Sequence, residues 1–401
     1  MGLNPDTSVA EAIFFSALDM NLLQTLQDLV AIPSVNPMRP NTGEPAERDV
    51  AAYIELVLRR HGIDCEMQTV AAGRQNVIGV VQASKEQSRS GGLLLNSHMD
   101  TVPTANMAIA PFDPVMENGR IFGRGSCDAK ASLAAMLTAL CSHAQRKERC
   151  RPVVFAATVD EEFSFAGSRK LIERDWPVSA AVVGEPTLLR NIVAHKGVVR
   201  WHLRVLGVSA HGATPCLGRS AIYDGARLAL LLEQYAGELR RRTGHALLGA
   251  PTLNVGRVSG GQAVNMVPDI CDFEIDRRLL PSEQASEALS DCESWLRDRL
   301  EGQLDFQLED PYLIDPALET STDAPIVSRL QQAQESALGQ SSPCLGAHYG
   351  TDGSKLALAG IETVVCGPGD IVQAHTNAEF VEVKQLELAA RLYDRLIQDW
   401  Q

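Results

Sequence analysis

Apolar positions along the chain fall into two regimes. Over residues 21–30 leucines recur at helical spacing, and Pro33 ends the pattern. Residues 47–61 repeat it, with Gly62 placed to close the helix. Short continuous apolar runs at 77–81, 93–95, 153–158 and 180–183 read as buried strands, each bounded by glycine or polar residues. Residues 132–142 are apolar nearly all round, which predicts a helix sandwiched inside the fold. Strands alternating with helices predict an α/β domain with a largely parallel sheet.

The pattern changes after about residue 190. Residues 198–205 and 271–278 alternate apolar with polar side chains, as expected of an antiparallel sheet with one wet face. Helical periodicity over 221–239 and about 282–300 follows these strands in turn. Two strand–helix units of this kind predict an α+β domain at 191–306, inserted into a discontinuous α/β domain made of 1–190 and 307–401. The tail from 325 to 400 returns to the α/β pattern.

Composition narrows the function. The 401 residues carry 36 Lys+Arg against 50 Asp+Glu, a net charge of −14, and 45% are hydrophobic. Such a chain buries a sizeable core, and its charge opposes nucleic acid or an anionic membrane as partner. The basic run Arg240–Arg242 is expected on a solvated helix face. No window approaches 18 uninterrupted apolar residues, so no membrane span is expected. The first residues lack the basic start and apolar run of a secretory leader, and Asp6 breaks the myristoylation pattern after Gly2. Nine cysteines without a CxxC pair are expected to be free thiols in a reducing compartment, the cytoplasm.

Ligands of open parallel sheets collect outside the carboxyl ends of the strands. Each apolar run here is followed by polar residues: His98 and Asp100 after 93–95, Asp128 after 121–125, Asp160, Glu161 and Glu162 after 153–158, Glu185 after 180–183, and His375 after 364–367. Carboxylates gathered at one edge repel each other and need protons, basic side chains or metal ions to coexist. Lys130 and Lys196 are the lysines close in sequence. A pair of divalent cations held by imidazole and carboxylate ligands answers the requirement.

The segments His98-Met99-Asp100-Thr101-Val102-Pro103, Gly123-Arg124-Gly125-Ser126-Cys127-Asp128, Asp160-Glu161-Glu162 and Gly184-Glu185-Pro186-Thr187, with His375 last, occur in that order. Together they resemble the dizinc metallopeptidase and deacylase family of acetylornithine deacetylase, succinyl-diaminopimelate desuccinylase, aminoacylase and glutamate carboxypeptidase. The resemblance runs from about residue 20 to the C-terminus. It departs from the common pattern at Asp128-Ala129-Lys130-Ala131, where Asp-Met-Lys-Gly is usual, and at Cys127, where a small residue is usual. Neither change removes a ligand.

The resemblance implies a zinc-peptidase-like catalytic domain and a ferredoxin-like inserted dimerisation domain. It implies two Zn²⁺ per subunit, with Co²⁺ or Mn²⁺ as substitutes. Asp128 would bridge them, His98 and Glu185 completing one ion, and Glu162 and His375 the other. Asp100 would take the proton of the second His98 nitrogen, and Glu161 would be the general base. Glu161 and Glu162, on an extended segment, are expected to point apart, one to substrate and one to metal. His211 would reach across a homodimer interface to the reacting oxygen, and a cis peptide is expected after Asp128. Asn265, Arg277, Gly350 and Thr351 would hold the free carboxylate of the substrate; of the adjacent Arg277 and Arg278, the expectation falls on Arg277. The implied activity is hydrolysis of the amide of an N-acyl amino acid or short peptide, in amino-acid metabolism and most like acetylornithine deacetylation in arginine biosynthesis. A desuccinylase, a dipeptidase or carboxypeptidase, and a non-catalytic binding protein on the same scaffold remain the alternatives. The glycine-rich stretch 254–261 has neither dinucleotide nor Walker spacing, and Cys127 has no base beside it in sequence.

Overall fold

A computed structural model describes residues 21–38, 46–85 and 91–400. The N-terminal residues read above for a leader or an acyl anchor lie outside the described residues. The chain divides into two compact units. The first comprises the described residues up to Val193, Thr320–Leu345 and residues 351–400; the second comprises Ala194–Glu319 and Gly346–Gly350.

The first unit is built on a mixed sheet. Its strands β1 (Asp64–Ala71), β2 (Arg74–Val81), β3 (Gly92–His98), β4 (Val153–Thr158), β5 (Val178–Val183) and β6 (Glu362–Val365) lie in the order β1-β2-β4-β3-β5-β6. β4, β3, β5 and β6 are parallel neighbours, whereas β1 and β2 form an antiparallel hairpin at one edge. The parallel strands are buried on both faces, which is why their sequences read as continuous apolar runs. The helix predicted at 132–142 spans Lys130–Ala144, and every residue but Thr138, Ser142 and Ala144 is buried. It is enclosed by the helices Leu22–Ala31 and Val383–Asp399 and by the sheet. Asn21 caps the first of these helices, its side-chain oxygen accepting from the N–H groups of Leu23 and Gln24 at 3.1 and 3.3 Å.

The second unit is an antiparallel sheet covered by two helices. Thr252–Gly260, Ile270–Leu279 and Gly197–Leu206 pair in that order, and both Asp305–Leu308 and Leu313–Asp315 pair with the far side of Gly197–Leu206. These last two pairings carry the unit to Glu319, past the boundary expected at 306. The inward residues of the alternating strands, Trp201, Leu203, Val205, Phe273 and Ile275, pack against Leu228, Leu232 and Tyr235 of helix Ala221–Leu239 and Trp295 and Leu296 of helix Ala285–Leu300. The Arg240–Arg242 run follows the first of these helices, with Arg240 as its C-cap and Arg242 pairing with Asp291. All nine cysteines are free. Among the described residues no helix is long and apolar enough to cross a membrane.

Candidate metal centre

The parallel strands deliver their C-terminal residues to one edge of the first unit. His98 ends β3, and the segments after β4, β5 and β6 carry Glu161 and Glu162, Glu185, and His375. Asp128 comes from the loop before the buried helix. His98 Nδ1 lies 2.9 Å from the main-chain carbonyl of Asp100, which turns Nε2 toward Asp128 Oδ1 at 3.1 Å and Glu185 Oε2 at 3.8 Å. His375 Nε2 lies 3.2 Å from Glu162 Oε2 and 3.4 Å from Asp128 Oδ2. The two oxygens of Asp128 therefore face the two histidines, one each. Donor atoms of His98, Asp128 and Glu162 lie within 4.8 Å of one another. Glu185 Oε1 is buried and has no hydrogen-bond partner.

This set fits a pair of divalent cations. It offers two imidazole nitrogens and three carboxylates, one carboxylate facing both halves, and an orphaned buried acceptor that a cation would satisfy. Neither of the two lysines close in sequence is free to neutralise it: Lys130 Nζ donates to the carbonyls of Leu29 and Ile32, and Lys196 Nζ to that of Ala250. The histidines carry the balancing charge instead. Burial disfavours the His98 imidazolium, but Glu185, Asp100, Asp128 and Glu161 outweigh it and hold its pKa well above the ordinary value. Hydrogen bonds to Asp128 and Glu162 raise His375 to about 10.

Asp100 does more than its expected part. Its carboxylate is 3.5 Å from His98 Nδ1, farther than its own main-chain carbonyl, so the carbonyl is the nearer acceptor for that nitrogen. The carboxylate itself accepts from the N–H groups of Glu161 and Glu162, both at 3.1 Å, and from Asn36 Nδ2 at 2.8 Å. It thus ties the His98 strand end to the segment bearing the base and a ligand. That segment is a turn over residues 161–164 and not the extended run expected. Asp160, at φ 66°, starts the turn, held by Asn36 Nδ2 at 3.0 Å, Arg74 Nη1 at 2.8 Å and the Ser164 hydroxyl. Burial pushes the Glu161 carboxyl well above the usual range, and Glu185, Glu162 and Asp352 add to this against the pull of His98. Asp352, absent from the expected set, is buried and accepts from the Thr158 hydroxyl at 2.6 Å. The Asp128–Ala129 peptide is cis, as expected.

The remaining expected residues divide between the units. In the second unit, His211 pairs with Met266 across a two-residue ladder, and Gly212 N–H donates to the carbonyl of Asn265 at 2.8 Å, so His211 and Asn265 sit together. His211 Nδ1 accepts from Ala213 N–H at 3.0 Å, leaving Nε2 at the surface. Gly350 belongs to the second unit and Thr351 to the first, where its hydroxyl accepts from Gly353 N–H at 3.0 Å. Arg277 is 1% exposed and points into the helix-covered core in phase with Cys271, Phe273 and Ile275, its guanidinium bonded to Glu283 at 2.6 Å. The expectation that Arg277 grips a substrate carboxylate is corrected accordingly: that side chain is committed inside its own unit. Arg278 lies on the opposite face of the strand, with Asp276 as its partner.

Imidazoles, carboxylates and a buried carboxylate oxygen without a hydrogen-bond partner at the carboxyl edge of a parallel sheet are the donor set that a metal-dependent hydrolase requires. Residues 94–399 match the Peptidase family M20/M25/M40, and the chain belongs to that family; it is a hydrolase of amide bonds. An acetylornithine deacetylase of Pasteurella multocida (strain Pm70) is 30% identical over 386 residues, 94% of this chain and 97% of its own. An M20 family metallo-carboxypeptidase from Sulfolobus solfataricus has the same fold, with a TM-score of 0.76 at 18% identity over 95% of this chain and 99% of its own. A dinuclear metal-binding M20 peptidase of Bacillus subtilis matches with a TM-score of 0.67 at 17% identity, over 96% and 98%.

Proposed function

We propose that the chain is a two-metal deacylase that removes the acyl group from an N-acyl amino acid, of the acetylornithine type. The facing of Asp128's two oxygens toward His98 and His375 carries this reading, and the acetylornithine deacetylase relative, matched over nearly its whole length, supports the substrate class. His98, Asp128 and Glu185 would hold one ion, and Asp128, Glu162 and His375 the other, with zinc the first candidate. Bound there, the ions supply Lewis acidity toward a water nucleophile and the amide carbonyl. Glu161, whose raised pKa suits a base that must also give its proton back, takes the proton of the attacking water and delivers it to the leaving amine nitrogen. Asp100 holds the Glu161 main chain while this happens. His211 Nε2, from the partner of a homodimer, donates to the developing oxyanion. Asn265, Gly350, Thr351 and Arg278, in place of Arg277, receive the substrate carboxylate.

A homodimer is supported by the second unit, where Ile222, Tyr223 and Leu230 of helix Ala221–Leu239 and Val258 of the edge strand Thr252–Gly260 are exposed. Nine free thiols support a reducing, cytoplasmic setting. The test is a panel of N-acetylornithine, N-succinyl-diaminopimelate, other N-acyl amino acids and dipeptides with the zinc-loaded enzyme and with Glu161→Gln. Fastest turnover of N-acetylornithine, lost by at least about 100-fold in kcat in the variant with both ions retained, is expected. A dipeptide as best substrate overturns the substrate assignment, and an unchanged kcat in Glu161→Gln overturns the base.

A further inference from the structure

Glu379 lies four residues beyond His375 and belongs to none of the expected ligand or base positions. Its carboxylate is 0% exposed. One oxygen accepts from the main-chain N–H groups of Cys127 and Asp128 at 2.9 and 3.0 Å; the other accepts from Gly125 N–H at 3.0 Å and from Arg124 Nη1 at 2.7 Å. Arg124, equally buried, turns its second amine to the carbonyls of Pro103 and Thr376, both at 3.3 Å. One buried ion pair thus touches three segments that carry ligand-site residues: the chain from His98 and Asp100 to Pro103, the loop of Asp128, and the turn of His375. A buried pair is a weak source of net stability, since apolar residues of similar volume would do as well or better. Its value at this junction is geometric, because three main-chain N–H bonds and a forked guanidinium fix backbone positions that a hydrophobic contact would leave free to slide.

We propose that the Arg124–Glu379 pair is a positioning device for the metal ligands. Glu379 fixes the main chain at Asp128 so that its carboxylate faces both histidines. Arg124 fixes the main chain at Thr376, and with it the His375 ring. The inference rests on the two-metal reading above. The ion assigned to Asp128, Glu162 and His375 depends on the pair most, because neither Asp128 nor His375 stands on a strand, whereas the pair meets the His98 segment only at Pro103, five residues on. His98 and Glu185 follow directly from β3 and β5 and are placed by the sheet.

The test is a count of bound zinc. The double variant Arg124→Gln/Glu379→Gln removes both charges and leaves no buried ion unpaired; Arg124→Lys keeps the charge but loses the fork. Each is loaded with Zn²⁺, dialysed, and titrated against a chromophoric chelator, and the melting temperature of the metal-free form is measured beside it. The native enzyme is expected to keep two ions and both variants one, the affinity of the second falling by about 10–100-fold, while the metal-free forms melt within a few degrees of the native one. Two ions held with native affinity in both variants overturn the proposal. Equal loss of both ions in step with a collapse of the metal-free melting temperature also overturns it, marking the pair as general scaffold. If the native enzyme itself holds no zinc, it is the two-metal reading that fails.

Discussion

Metal binding at this site should expel protons, and the number can be worked out. In the metal-free protein His375 has its pKa raised from 6.5 to about 10 by Asp128 and Glu162, and His98 is held well above its ordinary value by the acids around it. At pH 7.5 the His375 ring is then protonated by about 300 to 1, the antilogarithm of 10 − 7.5. A metal ion binds only the neutral imidazole, so each histidine that becomes a ligand releases a proton. The sign follows from the raised pKa: the imidazolium stabilises the metal-free fold below pH 6.5, that contribution fades as the pH climbs from 6.5 to 10, and metal affinity grows across the same window. The His375 side chain is 53% exposed, so solvent screens its ion pairs and the slope is a better measure than an absolute energy. Titration calorimetry of the metal-free enzyme with Zn²⁺, repeated in buffers of different ionisation enthalpy, counts the protons directly. At least one per enzyme is expected from His375 and a second from His98, with affinity rising about tenfold per pH unit for each proton. His375→Gln should lower the count by one. Affinity that is flat between pH 6.5 and 9, or binding with no proton released, would refute the argument.

Three further outcomes follow from the same structure. Arg278→Ala should raise KM for an N-acyl amino acid about 10–100-fold with little change in kcat. Arg277→Ala should instead lower the denaturation midpoint, because it strands Glu283 and opens the second unit's core; a KM defect confined to Arg277→Ala would reverse the assignment. His143, 3% exposed with neither ring nitrogen bonded, has its pKa lowered from 6.5 to about 4 by burial and by Arg146 and Arg149. The unfolded chain binds that proton more readily, so stability is lost as pH falls below 6.5, by about 2 kcal/mol at pH 5. Urea unfolding at pH 7.5 and 5 should show His143→Leu relieved of that share; an identical pH dependence in both proteins would exclude it.

Much of the site could be read from the chain because strand ends announce themselves. A buried parallel strand leaves little choice but a continuous apolar run, and the polar residue that follows it is already at the ligand-binding edge. His98, Glu162 and Glu185 were legible for that reason, and Asp128 and His375 through the ordered segments around them. Arg277 was misplaced although the means to place it were present: it continues the inward phase of Cys271, Phe273 and Ile275, and Arg278 the outward one. Glu379 and Arg124 left no such trace, being 255 residues apart and meeting only after folding. The full extent of the second unit was hidden likewise, since Asp305–Leu308 and Leu313–Asp315 join a strand a hundred residues earlier.

By itself, then, the amino-acid order determined which elements form, which faces they bury, and which side chains follow the parallel strands at their carboxyl edge, all consequences of local periodicity and strand burial. Tertiary structure alone decided how those side chains are held. Asp100 bonds to main-chain groups more than sixty residues away, the Glu161–Glu162 turn hangs on Asn36 and Arg74, and the Asp128 loop hangs on Glu379. The physical reason is that metal-ligand geometry depends on backbone positions fixed by buried hydrogen bonds between distant segments, and such bonds have no period to read.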